Sequence, residues 1–383
     1  MRYDFDKHIE RRGTDSYKWQ KYGSEIIPLW VADMDFVSPE PVLQALRRRV
    51  DHGIFGYSQP ADELRLVLRE RLKRLYDWEV GEEDLIMLPG VVTGLGLSFH
   101  VYAEPGDGVL VQPPVYFHFI RDPVLHGRVL NDPPLTEKDD TYEIDFDMFE
   151  ESITNRTRVF LLCNPHNPVG RVFTRKELEN LAEICLRHDL VICSDEIHCD
   201  LLYPGYRHIP IATLGPEVAD RTVTLMAPSK TFNLAGLSCA FAIIRNPALR
   251  ERWLAGSQGL IPNVNIMGHV AALSAFRDGQ EWLDQVLSYL RVNRDFMAQY
   301  VKEELPTLRM TKMEATYLAW LDCRNSGIPG NPFDFFLREA RVALNDGADF
   351  GKEGEGFVRL NLACPRKTLS EALGRMADAV KRL

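Results

Sequence analysis

Between residues 85 and 245, short apolar runs alternate with longer stretches patterned for helix, and this alternation restricts the fold more than any other feature. The runs occupy residues 85–88, 109–112, 158–163, 190–194, 222–226 and 240–245. They are too short for helices and nearly continuous in apolar character, so each predicts a strand buried on both faces. Between them lie stretches such as residues 175–188, where Leu178, Leu181, Ala182 and Cys185 recur at helical spacing. Thr174 and Glu177 precede that stretch as a capping box. Doubly buried strands separated by helices predict an α/β fold with a largely parallel sheet covered by helices.

Past residue 280 the pattern changes. Residues 281–305 form one long helical stretch with Trp282, Val286, Leu290, Met297 and Val301 on a single stripe. A strand over 317–322, a turn-rich stretch over 325–332 and a strand over 357–363 follow. The last helix is expected over 369–383, capped by Thr368 with Glu371 three residues on. The expected organisation is a large domain over residues 45–280 and a smaller α+β domain over 281–383, joined by an N-terminal arm over 1–44.

Charge and cysteine content narrow the setting. The 383 residues include 55 acidic and 45 basic side chains, a net charge of −10. That balance argues against nucleic acid or an anionic membrane as partner. No run approaches the ~18 apolar residues of a membrane span, and residues 1–16 are charged throughout, unlike a secretory signal. Seven cysteines without a C-x-x-C pair read as reduced, buried thiols of a cytoplasmic protein.

The chemistry concentrates just beyond the expected strand ends, where ligands bind in open α/β sheets. The run 158–163 leads into Asn164-Pro165-His166-Asn167-Pro168-Val169-Gly170, and 190–194 into Asp195-Glu196-Ile197-His198. The run 222–226 leads into Ala227-Pro228-Ser229-Lys230-Thr231. After 85–88 comes Gly90-Val91-Val92-Thr93-Gly94, opening a helix whose free N–H groups suit a phosphate. An amide, a carboxylate, a lysine and an anion cradle at one sheet edge are what pyridoxal phosphate requires.

With these residues in this order, the chain resembles the fold-type I pyridoxal-phosphate enzymes of the class I/II aminotransferase superfamily. Within them it is similar to the MalY/PatB-type cystathionine β-lyases, or C–S lyases. Asn167 in NPHNPVG, Asp195 in SDEIH and Lys230 in SKTFNLAGL carry the broad likeness. The WVADMDF segment from Trp30 to Phe36, Phe55-Gly56-Tyr57, and RLNLACP from Arg359 to Pro365 carry the narrower one. Ser238 stands eight residues after Lys230, where aminotransferases usually place a phosphate-binding arginine and MalY/PatB-type sequences do not.

The resemblance implies a role for each residue. Lys230 holds the cofactor and removes the Cα proton, Asp195 pairs with the pyridine nitrogen, and Asn167 bonds the ring hydroxyl. Tyr116 stacks on the ring; Val92, Thr93 and Ser229 hold the phosphate; His198 joins the cofactor pocket. Arg359 forks onto the substrate α-carboxylate, as guanidinium geometry favours, with Asn167 and Tyr57 beside it. Tyr57 reaches the cofactor of a partner subunit, so the implied assembly is a homodimer with shared sites, and Lys230, Tyr116 and Tyr57 form the catalytic set. The implied reaction is α,β-elimination of L-cystathionine, cysteine or another S-conjugate to a thiol, pyruvate and ammonia. Transamination on the same scaffold is the alternative reaction. Contact with a transcriptional activator of sugar catabolism is the implied role of a different class.

Overall fold

The computed structural model describes residues 3–383, so the first two residues of the expected arm lie outside the described residues. Its larger sheet has seven strands: β1 (Leu85–Leu88), β2 (Gly108–Leu110), β3 (Val129–Asn131), β4 (Thr157–Cys163), β5 (Val191–Asp195), β6 (Thr222–Met226) and β7 (Ala240–Ile243). They lie in the order β1-β7-β6-β5-β4-β2-β3. All neighbours are parallel except β7, which runs antiparallel to both β1 and β6. Residues 227–239 cause this reversal. They hold only one-turn helices, whereas a parallel return needs a crossover of a dozen or more residues back along the sheet. The chain turns round on one edge, and the start of β7 joins the ends of its neighbours there.

Strands β5 and β6 are buried along their whole length, as their nearly continuous apolar character predicts. The edge strand β3 escapes a periodicity reading because it has three residues and Val129 is exposed. Helix Arg175–Arg187 begins at the expected capping box. The Glu177 N–H donates to Thr174 Oγ1 at 3.3 Å, and Glu177 Oε2 accepts from the Thr174 N–H at 2.7 Å. Helix Val91–Tyr102 lies unusually close to the sheet at Gly94, where a Cβ would sit 2.7 Å from Leu225 Cδ2. Glycine avoids that overlap with the buried Leu225 side chain.

The smaller sheet contains β8 (Arg309–Met310), β9 (Leu318–Asp322), β10 (Asn345–Asp346) and β11 (Phe357–Asn361), antiparallel in the order β8-β9-β11-β10. Helices Gln280–Glu304 and Arg366–Val380 accompany it in this half of the chain. The last helix corrects the expectation at Thr368. It starts at Arg366, immediately after Pro365, and has no side-chain cap, so Thr368 and Glu371 lie inside its first turns. Proline, with its fixed φ and missing N–H, suits a helix entry.

The arm is not a bare extension. Ile27–Pro28 pairs in parallel with Val342–Ala343, and residues 30–36 then run between the two sheets. Among the described residues no helix is long and apolar enough to cross a membrane.

Candidate active site

Strands β4, β5 and β6 each lead into a polar group on the functional edge. After β4, the turn over residues 164–170 is closed by the Gly170 N–H donating to His166 O and the His166 N–H to Arg171 O, both at 2.8 Å. Gly170 sits at φ +76°, a conformation that favours glycine. The His166 ring bonds the carbonyls of Cys163 and Pro114 inside the turn, which leaves Asn167 to face outward. Strand β5 ends in Asp195, and β6 is followed by the one-turn helix Pro228–Thr231 that carries Lys230. The start of β7 brings Ser238 and Cys239, and β11 contributes Arg359 from the smaller sheet.

These groups line one cavity with about 820 Å³ of atom-free space, its mouth included. Of the residues singled out in the sequence, Asn167, Asp195, His198, Ser229, Lys230 and Arg359 line the cavity, as do Tyr116 and Val92. Thr93 lies one residue deeper in its helix and is not part of the wall. Tyr57 is away from the cavity, fully exposed on the irregular loop over residues 53–61.

The cavity holds buried charges without partners. The Asp195 carboxylate accepts the Ile197 N–H at 3.0 Å and has no ion-pair partner among the described residues. Burial pushes its pKa up to about 7, against the lowering pull of that N–H and of Lys230. Burial and then the Arg359 charge bring Lys230 down to about 8. Arg359 is 4% exposed and finds only neutral acceptors: Asn167 Oδ1 at 2.9 Å, Asn345 Oδ1 at 2.5 Å and Trp30 O at 3.1 Å. Burial lowers it to about 10, and its Nε has no partner. His198, brought to about 3 chiefly by burial, is a neutral ring with an unpartnered Nδ1.

Such an arrangement is costly unless ligands complete it. An anion beside Arg359 and a cationic ring nitrogen beside Asp195 would satisfy both charges. The free N–H groups opening helix Val91–Tyr102, with Ser229 and Ser238, offer an anion site where Lys230 and Arg359 are the only basic side chains in the wall. These residues fit pyridoxal phosphate bearing an amino acid.

The sequence reading missed two groups, Ala32 in the wall and Tyr317 behind it. Ala32 lines the cavity, and its carbonyl accepts from Lys230 Nζ at 2.7 Å. Tyr317, read only as the start of a strand, donates its hydroxyl to the same carbonyl at 3.0 Å. A backbone acceptor leaves no mark on composition or spacing. The only signal was that WVADMDF mattered to the likeness.

The family model of aminotransferase class I and II matches residues 24–376. Cystathionine beta-lyase PatB of Bacillus subtilis (strain 168) is 40% identical, with 98% of this chain and all of that protein aligned. The crystal structure of OvoB superposes with a TM-score of 0.95 at 43% identity, covering 99% of both chains. Cystalysin from Treponema denticola, whose crystal structure contains a pyridoxal 5′-phosphate cofactor, superposes with a TM-score of 0.96 at 33% identity over all of both chains.

Proposed function

The chain belongs to the class I and II aminotransferase family and, within it, to the cystathionine β-lyases of the PatB and MalY type, and on that premise we propose that it is a pyridoxal-phosphate-dependent carbon–sulfur lyase. Its architecture is that of the fold-type I pyridoxal-phosphate enzymes. The overall reaction takes L-cystathionine and water to homocysteine, pyruvate and ammonia, with cysteine or another S-conjugate as related substrates. The observation that carries this reading is a half-buried lysine opposite an unpaired buried carboxylate, beside a buried arginine that lacks an anion.

Bound pyridoxal phosphate supplies an electron sink that makes the Cα proton of an amino acid acidic. Asp195, as a carboxylate, would keep a proton on the ring nitrogen, and that cation in turn would bring the raised carboxyl back into the charged state. Asn167 would donate its amide to the ring hydroxyl and Tyr116 would cover the ring face. Arg359 would take the substrate carboxylate on its planar fork while Asn167 Oδ1 holds its other edge. Lys230, whose amine loses its proton near neutral pH, would remove the Cα proton at Nζ. Thiolate then leaves from Cβ, and water converts the remaining three-carbon fragment to pyruvate and ammonia.

Three further readings complete the proposal. Ile54, Phe55 and Tyr57, all exposed on one loop, support a second copy of the chain as the partner that Tyr57 meets. Seven free, buried cysteines support a reducing compartment, the cytoplasm. Gly279, between helices Ile266–Asp278 and Gln280–Glu304, supports a boundary between a large domain over 45–280 and a small domain over 281–383 completed by the arm.

With L-cystathionine and no keto acid, the enzyme is expected to release pyruvate, ammonia and free thiol over many turnovers. Borohydride should fix the cofactor on the peptide that contains Lys230. A reaction that stops after one turnover per site and resumes on adding 2-oxoglutarate would make the protein an aminotransferase instead.

A further inference from the structure

Residues 30–36 cross the space between the sheets with their carbonyls held by side chains. Arg359 Nη2 donates to Trp30 O, and Asn361 Nδ2 donates to Val31 O and Asp33 O, both at 2.6 Å. Asn233 Nδ2, three residues past Lys230, donates to Met34 O and Phe36 O, both at 3.0 Å. In the middle, Ala32 O accepts from two side chains at once, Lys230 Nζ and the Tyr317 hydroxyl. Tyr317 is 1% exposed and forms no part of the cavity wall; its ring meets the His198 ring edge-on with centroids 6.4 Å apart, and its hydroxyl bonds Ala32 O. Its aim is fixed from behind. Thr316 sits at φ +68° and donates its N–H to Leu201 O at 2.7 Å, immediately before β9 begins.

We propose that Tyr317 is a positioning residue for Lys230: its hydroxyl orients the Ala32 carbonyl and occupies part of its acceptor capacity, giving the free amine a defined but weak resting place. The inference deepens the lyase reading and rests on Lys230 as the cofactor lysine. Two donors on one oxygen compete for the same electron density. An ammonium sharing Ala32 O with a phenol is therefore held less tightly than one that has the oxygen to itself. Burial pushes the Tyr317 hydroxyl above the usual phenol range, so it remains a donor. The other charged or titratable groups facing Lys230 are Asp195 at the end of β5, His198 just past it, Arg359 on β11 and Asp33 on the arm. None of them bonds to Ala32 O.

Tyr317→Phe keeps the ring and removes the donor. In the full chain stripped of cofactor, reductive methylation of Lys230, followed by mass spectrometry of its peptide, gives the pH midpoint at which the amine becomes reactive. The variant's midpoint should move up by about one unit, the size of one redistributed hydrogen bond. In the loaded enzyme, kcat should fall about tenfold near neutral pH and recover as pH rises, with KM changed less than about twofold. Thermal melting should fall by no more than about a few degrees, the cost of one lost hydrogen bond. An unmoved midpoint, or a loss of kcat that alkaline pH does not restore, overturns the inference and makes Tyr317 a packing residue. A borohydride adduct on another lysine would remove the cofactor assignment along with it. An adduct on Lys230 beside an unmoved midpoint removes this inference alone.

Discussion

Asp195 and Glu196 are adjacent carboxylates at the end of one strand, and the residue scale decides between them. Glu196 is wholly buried and already satisfied, by Ser194 Oγ at 2.9 Å and His208 Nε2 at 2.7 Å. Asp195 faces the cavity with a single backbone donor. The spacing of SDEIH could not separate the two without the family likeness, because period-two alternation says that they point apart and not which one points to a ligand. The raised pKa of Asp195 yields a prediction for cofactor-free protein. A carboxyl with a folded-state pKa of about 7 against an ordinary 3.8 favours the folded state in its protonated form. Its cost is absent below pH ~4, grows between about 4 and 7, and is complete above 7. Asp195→Asn should therefore stabilise the cofactor-free protein at pH 8 by up to roughly 4 kcal/mol, with little gain near pH 4. The same substitution should lower kcat of the loaded enzyme roughly a hundredfold or more, because the ring nitrogen loses its charged partner. Melting curves at the two pH values, compared with wild type, check the sign; a variant without a pH-dependent gain contradicts it.

At the scale of elements, the long apolar strands and the Arg175–Arg187 helix were legible because their periodicity and capping are local properties. The reversal of β7 was not, since direction depends on how much chain lies between two strands and where it goes. The arm was least legible of all. Its residues carry little periodic pattern, yet they enclose a buried ionic cluster. Lys18 Nζ lies 2.7 Å from Asp35 Oδ2 and 3.4 Å from Asp33 Oδ1, while Arg11 reaches both carboxylates at 2.6 Å. The Lys18 side chain is fully buried, so removing it strands negative charge away from water. Lys18→Met should cost roughly 3–5 kcal/mol in urea unfolding. It should also lower kcat, since Asp33 adjoins the carbonyl on which Lys230 rests. A loss within the range of an exposed pair, under about 1 kcal/mol, would show that the cluster does not anchor the arm.

The whole molecule brings the arm and both sheets together at one cavity, while the loop over residues 53–61 leaves Ile54, Phe55 and Tyr57 exposed. If Tyr57 completes a neighbour's site, the inactive variants Lys230→Ala and Tyr57→Ala should regain part of their activity when mixed and refolded. Each mixed pair would hold one intact site, and sedimentation should show a two-fold symmetric dimer. A fully active monomer would refute this. The fold-level outline of that cavity was readable from strand ends, but a group supplied by a second chain leaves only an exposed aromatic in one subunit. The loop also has a practical consequence. Phe55 and Tyr57 stand on backbone without regular structure, the setting in which chymotrypsin-like proteases cut. In a paired subunit those bonds would be shielded. Nicking in this stretch should therefore accelerate on dilution and slow at high protein concentration, making the cleavage rate a clock for how long each subunit spends alone.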